Sequence, residues 1–136
     1  MKDNKYFIDT SALIALNDAR DQYHTEARDI ATTLNNCQFF ISDAVINETY
    51  TLLRYRLGFQ KAAYFLQTVL SGDSFVIADV TNATRLHTQG ILEQFSDQKI
   101  SYCDALSVAI MKEMQISKIF AFDHHFELMG TQLVRP

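Results

Sequence analysis

Tyr6-Phe7-Ile8-Asp9-Thr10-Ser11-Ala12-Leu13-Ile14-Ala15-Leu16 changes its hydrophobic period part-way along. Tyr6 to Ile8 is a short apolar run of β-forming residues, after which Ala12, Leu13 and Leu16 recur at helical spacing. A strand that gives way to a helix in so few residues opens an α/β unit. Asp9 stands at the change, where the carboxyl end of a strand meets a helix start. Ligands of open α/β sheets bind along that edge. Asp9, Thr10 and Ser11 are also good helix N-caps, and for this stretch alone capping is the simpler reading. The balance moves only if further carboxylates reach the same edge.

Outward from this stretch the chain keeps alternating. The pattern predicts a strand at Tyr6–Ile8, a helix from Thr10 to about Leu16, and a polar connection over Asn17–Asp21. A helix from about Gln22 to Leu34 follows, with an apolar stripe of Ala27, Ile30, Ala31 and Leu34, and then a strand at Gln38–Ile41. Ser42 and Asp43 read as the cap of a long helix, about Ala44 to Leu57, which Gly58 stops. Phe59–Leu70 is a further helix, and one glycine between the two predicts an antiparallel αα-hairpin. Strands at Ser74–Ala78, Lys118–Phe122 and Thr131–Val134 complete the set, with helices at Thr81–Phe95 and Ser101–Met114. The last of these carries little charge and is expected to be largely buried. Such alternation predicts a parallel sheet of four or five strands covered by helices on both faces.

A chain of 136 residues holds one domain with a proper core, so residues 1–136 are expected to form a single unit. With 4 Gly and 1 Pro, long loops and linkers are not expected. Net charge is −4, which excludes the strongly basic footprint of many nucleic-acid binders. If four acids sit on a metal, the remaining acids equal the 12 bases, and a nucleic acid would have to be held locally. Cys37 and Cys103 fit no paired metal spacing and make no disulfide framework, so a reducing cytoplasm is expected. Met1-Lys2-Asp3-Asn4-Lys5 runs straight into the first strand, which predicts neither a signal peptide nor a membrane span.

Three more acids have a route to the edge where Asp9 stands. Asp123 follows the fourth strand in Phe122-Asp123-His124-His125-Phe126, and a parallel sheet puts it on the same side as Asp9. Asp104 begins the apolar helix in Ser101-Tyr102-Cys103-Asp104-Ala105, sharing a face with Val108 and Met111. Glu48 lies one turn into the helix after the second strand, at the margin of a stripe of Val45, Thr49, Leu52 and Leu53. Each acid alone has a bland explanation: a capping box, a first-turn charge, a solvated side chain. Together they are harder to dismiss, because carboxylates are seldom buried without a partner and no Lys or Arg lies near Asp9, Asp104 or Asp123 in sequence. A divalent cation is the missing charge. Hard oxygen ligands suit Mg²⁺ or Mn²⁺, and such sites serve phosphodiester hydrolysis.

With Asp9, Glu48, Asp104 and Asp123 in that order, the sequence resembles the PIN-domain nucleases, specifically the VapC-type toxins of toxin–antitoxin pairs. The matching pieces are Ile8-Asp9-Thr10-Ser11-Ala12-Leu13, Asn47-Glu48 with Thr51-Leu52-Leu53, Ser101-Tyr102-Cys103-Asp104-Ala105, and Phe122-Asp123-His124-His125-Phe126. The resemblance implies a three-layer α/β/α domain, Mg²⁺- or Mn²⁺-dependent cleavage of RNA, frequent homodimers, and inhibition by a small antitoxin. By position it makes Asp9, Asp104 and Asp123 metal ligands, Glu48 a ligand or the residue orienting the attacking water, and Ser11 their supporting partner. One position departs: Ala121 stands where the family commonly has Thr or Ser, so a hydroxyl that would steer Asp123 is absent.

Other features are weighed beside these. His124-His125 reads as surface or substrate contact ahead of zinc, since adjacent residues share no helix face. His24 and His87 read as surface residues. Arg54, Arg56 and Lys61 cluster near the hairpin turn, as solvated charge or, alternatively, as RNA contacts together with His124. Tyr50, Tyr55, Phe59, Tyr64 and Phe65 supply an aromatic surface suited to a dimer or antitoxin interface. A phosphoacceptor receiver or an Asp-x-Asp phosphatase fails, because Thr10-Ser11 follows Asp9 and no Lys lies beyond Lys118. The rival left standing is a catalytically silent PIN fold that binds RNA or protein.

Overall fold

The computed structural model describes residues 4–135. The approach of Met1–Asp3 to the first strand, and Pro136, lie outside the described residues. The elements run β1 (Lys5–Ile8), α1 (Thr10–Asn17), α2 (His24–Thr33), β2 (Gln38–Ile41), α3 (Asp43–Leu57), α4 (Phe59–Leu70), β3 (Phe75–Ile77), α5 (Asn82–Gln94), α6 (Tyr102–Met114), β4 (Lys118–Phe120), α7 (His125–Leu128) and β5 (Gln132–Leu133). The strands form one five-stranded sheet in the order β3-β2-β1-β4-β5. Every pairing is parallel, so the expected α/β architecture holds with all five strands in it.

Parallel strands covered on both faces read as unbroken apolar runs, and these do. Tyr6, Phe7 and Ile8 of β1 are all buried, as are Phe40 and Ile41 of β2 and Ile119 and Phe120 of β4. From β1 the chain adds β2 and β3 on one side, then crosses back to place β4 and β5 on the other. Strand order therefore reverses between β1 and β4. The carboxyl ends of those two strands form a topological switch point, where α/β sheets leave a crevice. Helix α6 lies across the core with Ala105 through Met111 all buried, as its low charge predicted.

Several boundaries move for identifiable reasons. Strand β4 stops at Phe120 because the Phe122 amide leaves the ladder and donates to Ser11 Oγ at 3.0 Å. Helix α2 begins at His24 because Asp21 Oδ2 accepts from the Tyr23 amide at 3.0 Å and the Asp21 carbonyl from the His24 amide at 3.0 Å. His24 is not a loose surface residue: its Nδ1 is 2.7 Å from the Ala15 carbonyl, tying α2 to α1. Nor is His87 free, since its Nδ1 lies 3.1 Å from Glu113 Oε2 on α6. The hairpin aromatics divide. Phe65 is core and Tyr50 packs partly against it, whereas Tyr55, Phe59 and Tyr64 remain 81%, 60% and 68% exposed. Among the described residues no helix is long and apolar enough to cross a membrane.

Gly58 joins α3 to α4 with φ 95° and ψ 177°, a conformation essentially reserved for glycine. A Cβ there would meet nothing within 4 Å, so backbone strain is the whole cost of adding one. Gly58→Ala should destabilise the protein by roughly 1–3 kcal/mol. The melting temperature should fall by about 4 °C for each kcal/mol at this chain length. An unchanged melting curve would show that the hairpin turn relaxes without strain.

Candidate active site

Asp9 follows β1 and caps α1. Its Oδ2 accepts from the Ser11 amide at 3.0 Å and from Ser11 Oγ at 2.7 Å. The capping reading is thus true of one oxygen. The other, Oδ1, is buried without a hydrogen-bond partner among the described residues, and the residue is 4% exposed. A buried carboxylate oxygen left unsatisfied is costly unless something outside the fold completes it. Ser11 also reaches across the switch point: while donating to Asp9, its hydroxyl accepts from the Phe122 amide. The end of β1 is thereby fastened to the segment that carries Asp123.

The remaining acids arrive on three other elements. Glu48 sits one turn into α3, half-buried, on the same face as Leu52 and Arg56 at successive i+4 positions. Asp104 is in the first turn of α6, its amide capped by Ser101 Oγ at 3.0 Å. Asp123 Oδ1 accepts from the His125 amide at 2.9 Å. His125 Nδ1 lies 3.1 Å from the same oxygen, out of line for a hydrogen bond. All four acids line a single cleft of about 350 Å³. A larger hollow of about 570 Å³ at the opposite end of the sheet has, among the described residues, Asp73 as its only acidic lining residue.

The electrostatics follow from this crowding. Burial raises the Asp9 pKa above the usual carboxylate range, opposed by the bonds from Ser11 and reinforced by Glu48. Asp104 is pushed up to about 7, first by burial and then by Asp9, Asp123 and Glu48. Cys103, beside them, is pushed up to about 12 by burial and by Glu48, Asp9 and Asp104. Its thiol stays protonated and is no nucleophile near neutral pH. Among the described residues no three His, Cys, Asp or Glu side chains are gathered tightly enough to enclose an ion. The donor set still fits a hard cation. The ligand atoms would be carboxylate oxygens, one of them orphaned, in a pocket whose own field favours positive charge. Mg²⁺ keeps several waters and takes one or two carboxylates directly, so a closed cage is not what it needs.

The candidate RNA contacts do not stay together. Arg56 lines the cleft, with Nη1 3.6 Å from Asp18 Oδ2 and 3.5 Å from Asp21 Oδ1. Arg54 instead lies over the Phe59 ring, 5.9 Å from its centroid, and neither it nor Lys61 lines the cleft. His124 is exposed, with 83% of its side chain accessible, while His125 turns inward to Asp123. Sequence reasoning gave His125 as a surface or substrate contact, whereas its backbone amide holds Asp123 and its side chain is 21% exposed. It missed Asp18 and Asp21, which lay in a connection read only as polar, and Tyr23, which was placed in the first turn of the following helix. The i+8 spacing of Arg56 from Glu48 was the one available signal for its position.

The family model described as PIN domain matches residues 6–131. The chain belongs to the PIN-domain family. Across 130 residues this PIN domain is 31% identical to the 23S rRNA-specific endonuclease VapC20 of Mycobacterium tuberculosis, covering 96% of this chain and 98% of that protein. The crystal structure of VapC20 from that species, described as a sarcin–ricin loop cleaving toxin, superposes with a TM-score of 0.89 at 30% identity, covering 96% of this chain and 99% of the other. Two more distant structures share the fold. FitAcB from Neisseria gonorrhoeae gives a TM-score of 0.66 at 13% identity, covering 96% of this chain and 97% of that one. VapBC2 from Rickettsia felis, bound to a DNA fragment from its promoter, gives 0.69 at 14%, covering 95% and 96%.

The raised pKa of Asp104 fixes the sign of a stability test on the metal-free PIN domain. Below the ordinary value of 3.8 both folded and unfolded states hold the proton, and folding is not penalised. As pH climbs from 3.8 towards about 7 the unfolded chain ionises first, so the native state loses stability across that window. Asp104→Asn should therefore melt several degrees above wild type at pH 8 in EDTA, and at nearly the same temperature at pH 4. If instead the acid serves only the helix dipole, worth roughly 0.3–1 kcal/mol, the variant should melt lower at pH 8.

Proposed function

We propose that this protein is a VapC-type endoribonuclease, the toxin of a toxin–antitoxin pair acting in the cytoplasm. It would hydrolyse RNA phosphodiester bonds with Mg²⁺ or Mn²⁺. The observation that carries the reading is the orphaned, buried Oδ1 of Asp9 in a cleft shared with Glu48, Asp104 and Asp123. The likeness to VapC20 over nearly the whole chain supports the RNA substrate. On this reading Asp9, Asp104 and Asp123 hold the ion, with Glu48 as a further ligand or beside the attacking water. A bound ion there would neutralise charge developing on the phosphate and make water a better nucleophile. Glu48 orients that water and receives its proton. Hydrolysis places hydroxyl on phosphorus and a proton on the departing oxygen. Ser11 keeps Asp9 aimed, and Arg56 meets a phosphate beside the reacting one.

The partner, an antitoxin or a second copy in a homodimer, is proposed to use the exposed Tyr55, Phe59 and Tyr64. One observation favours the rival reading of a silent binding module: no three ligands are pre-gathered around an ion point among the described residues. Turnover decides between them. Purified protein given total RNA and a sarcin–ricin stem–loop RNA should cut with Mg²⁺ or Mn²⁺ and stop with EDTA. Asp9→Asn should lose at least about a hundredfold in rate while keeping the wild-type circular dichroism spectrum. EDTA-resistant cutting would remove the metal mechanism. No cutting of either RNA would favour the binding module.

Two further outcomes test the partner and Arg56. Expression alone should slow host growth, and the neighbouring open reading frame should relieve it. Equal harmlessness of wild type and Asp104→Asn would end the toxin reading. Arg56→Ala should weaken RNA binding and flatten its salt dependence by a log–log slope of about 0.7, the share of one phosphate contact on a single strand.

A further inference from the structure

Three aromatic rings lead from the core to the rim of the acidic cleft. Phe120 is fully buried at the end of β4. Phe122 meets it edge-on, with ring centroids 6.2 Å apart and planes at 65°. Tyr23 lies flat on Phe122, centroids 4.5 Å apart and planes within 3° of parallel. Tyr23 lines the same cleft as the four acids and is 37% exposed. With one face against Phe122, the opposite face and the hydroxyl edge are what the ring can offer a ligand in the cleft.

The backbone under this ring is bonded at nearly every residue. The Asp18 amide donates to the Ile14 carbonyl at 2.9 Å, the Asp21 amide to the Asp18 carbonyl at 3.0 Å, and the Ala27 amide to the Tyr23 carbonyl at 2.8 Å. Asp21 Oδ2 accepts from the Tyr23 amide, and His24 is anchored to Ala15. The ring is therefore held in place before any ligand arrives, which lowers the entropy lost on binding. Phe122 directly precedes Asp123, so the platform stands one residue from a carboxylate of the cleft.

Charge makes such a platform useful. Net charge is −4, and among the described residues Arg56 is the one Lys or Arg lining the cleft, itself engaged by Asp18 and Asp21. Phosphate contacts can supply little of the affinity for RNA here. Base stacking needs no positive charge, and proteins that take single strands rely on it. We propose that Tyr23, seated on Phe122, stacks an unpaired nucleobase next to the scissile phosphate, so that the substrate is RNA whose bases are splayed from the helix at the cutting site. This rests on the nuclease reading above.

The test uses the full chain and a sarcin–ricin stem–loop RNA carrying 2-aminopurine at successive loop positions, with Asp9→Asn as background so that the RNA stays intact. One position should be quenched on binding in Mg²⁺, as stacking requires. The quench should vanish when Tyr23→Ala is added and persist with Tyr23→Phe. In cleavage assays on the otherwise wild-type chain, Tyr23→Ala should lower kcat/KM roughly 5- to 150-fold, chiefly through KM. An abasic site at the quenched position should lower wild type equally and abolish the difference between the two proteins. A Tyr23→Ala loss that is unchanged on the abasic RNA would make Tyr23 a structural prop and overturn the proposal. A quench indifferent to Tyr23 would overturn it too. Cleavage without Tyr23-dependent quenching removes the platform and leaves the nuclease. Quenching without cleavage by wild type does the reverse, and neither signal removes both.

Discussion

The hydroxyl of Ser11 is the joint on which the site depends. It donates to Asp9 Oδ2 at 2.7 Å and accepts from the Phe122 amide at 3.0 Å. One oxygen thus links the ends of β1 and β4, the two strands between which strand order reverses. A bond to a carboxylate is stronger than one between neutral groups, and in a largely dry setting it is stronger still. The bond does two jobs by geometry. It opposes the desolvation of Asp9, lowering a pKa that burial raises. It also ends β4 two residues early, turning the chain so that Asp123 faces the cleft rather than continuing in the sheet.

From that joint the cost of the site can be followed outward. A parallel sheet delivers β1 and β4 at one edge, and α3 and α6 begin there too, so four carboxylates come together with no lysine beside them in the cleft among the described residues. Burial first, and then their mutual repulsion, push Asp104 up to about 7 and the neighbouring Cys103 up to about 12. The fold tolerates this because what surrounds it is so well packed: Ala105 through Met111 are all buried, and Phe7, Ile119 and Phe126 are fully enclosed. Destabilising groups held by a rigid surround are the usual form of a functional site.

What could be read from sequence, and what could not, divides along physical lines. The strand-to-helix change at Asp9 was legible because an unbroken apolar run gives way to a spacing near 3.6 within a few residues. Helix α4 over Phe59–Leu70 and strand β2 over Gln38–Ile41 were legible to the residue, bounded by glycine, asparagine and serine. The convergence of the acids on one edge was legible because parallel topology leaves little freedom. That Arg54 lies off the Glu48 face was legible from helical spacing, whereas the hold of Asp18 and Asp21 on Arg56 was not, since only tertiary packing brings them together. The connection 18–23 was opaque because its order comes from side-chain-to-backbone bonds of Asp18 and Asp21, which leave no periodic trace. His125 was hidden by His124: adjacent identical residues carry no sign of which turns inward.

An acidic protein that receives a polyanion has to arrange its field locally. Arg56 shows how. Alone on the rim of an acidic cleft, a guanidinium would swing down onto Glu48, four residues per step along the same face. Asp18 and Asp21 engage it instead, at 3.6 and 3.5 Å. Asp18 can do so because the Arg20 amide donates to it at 3.0 Å, and this bond, with the Arg20 and Arg56 charges, keeps its carboxyl below the usual range. Arg56 is thereby paired with acids outside the set of four, two helical turns along α3 from Glu48. The field within a Debye length then decides where the backbone lies, and the net charge of the molecule matters little.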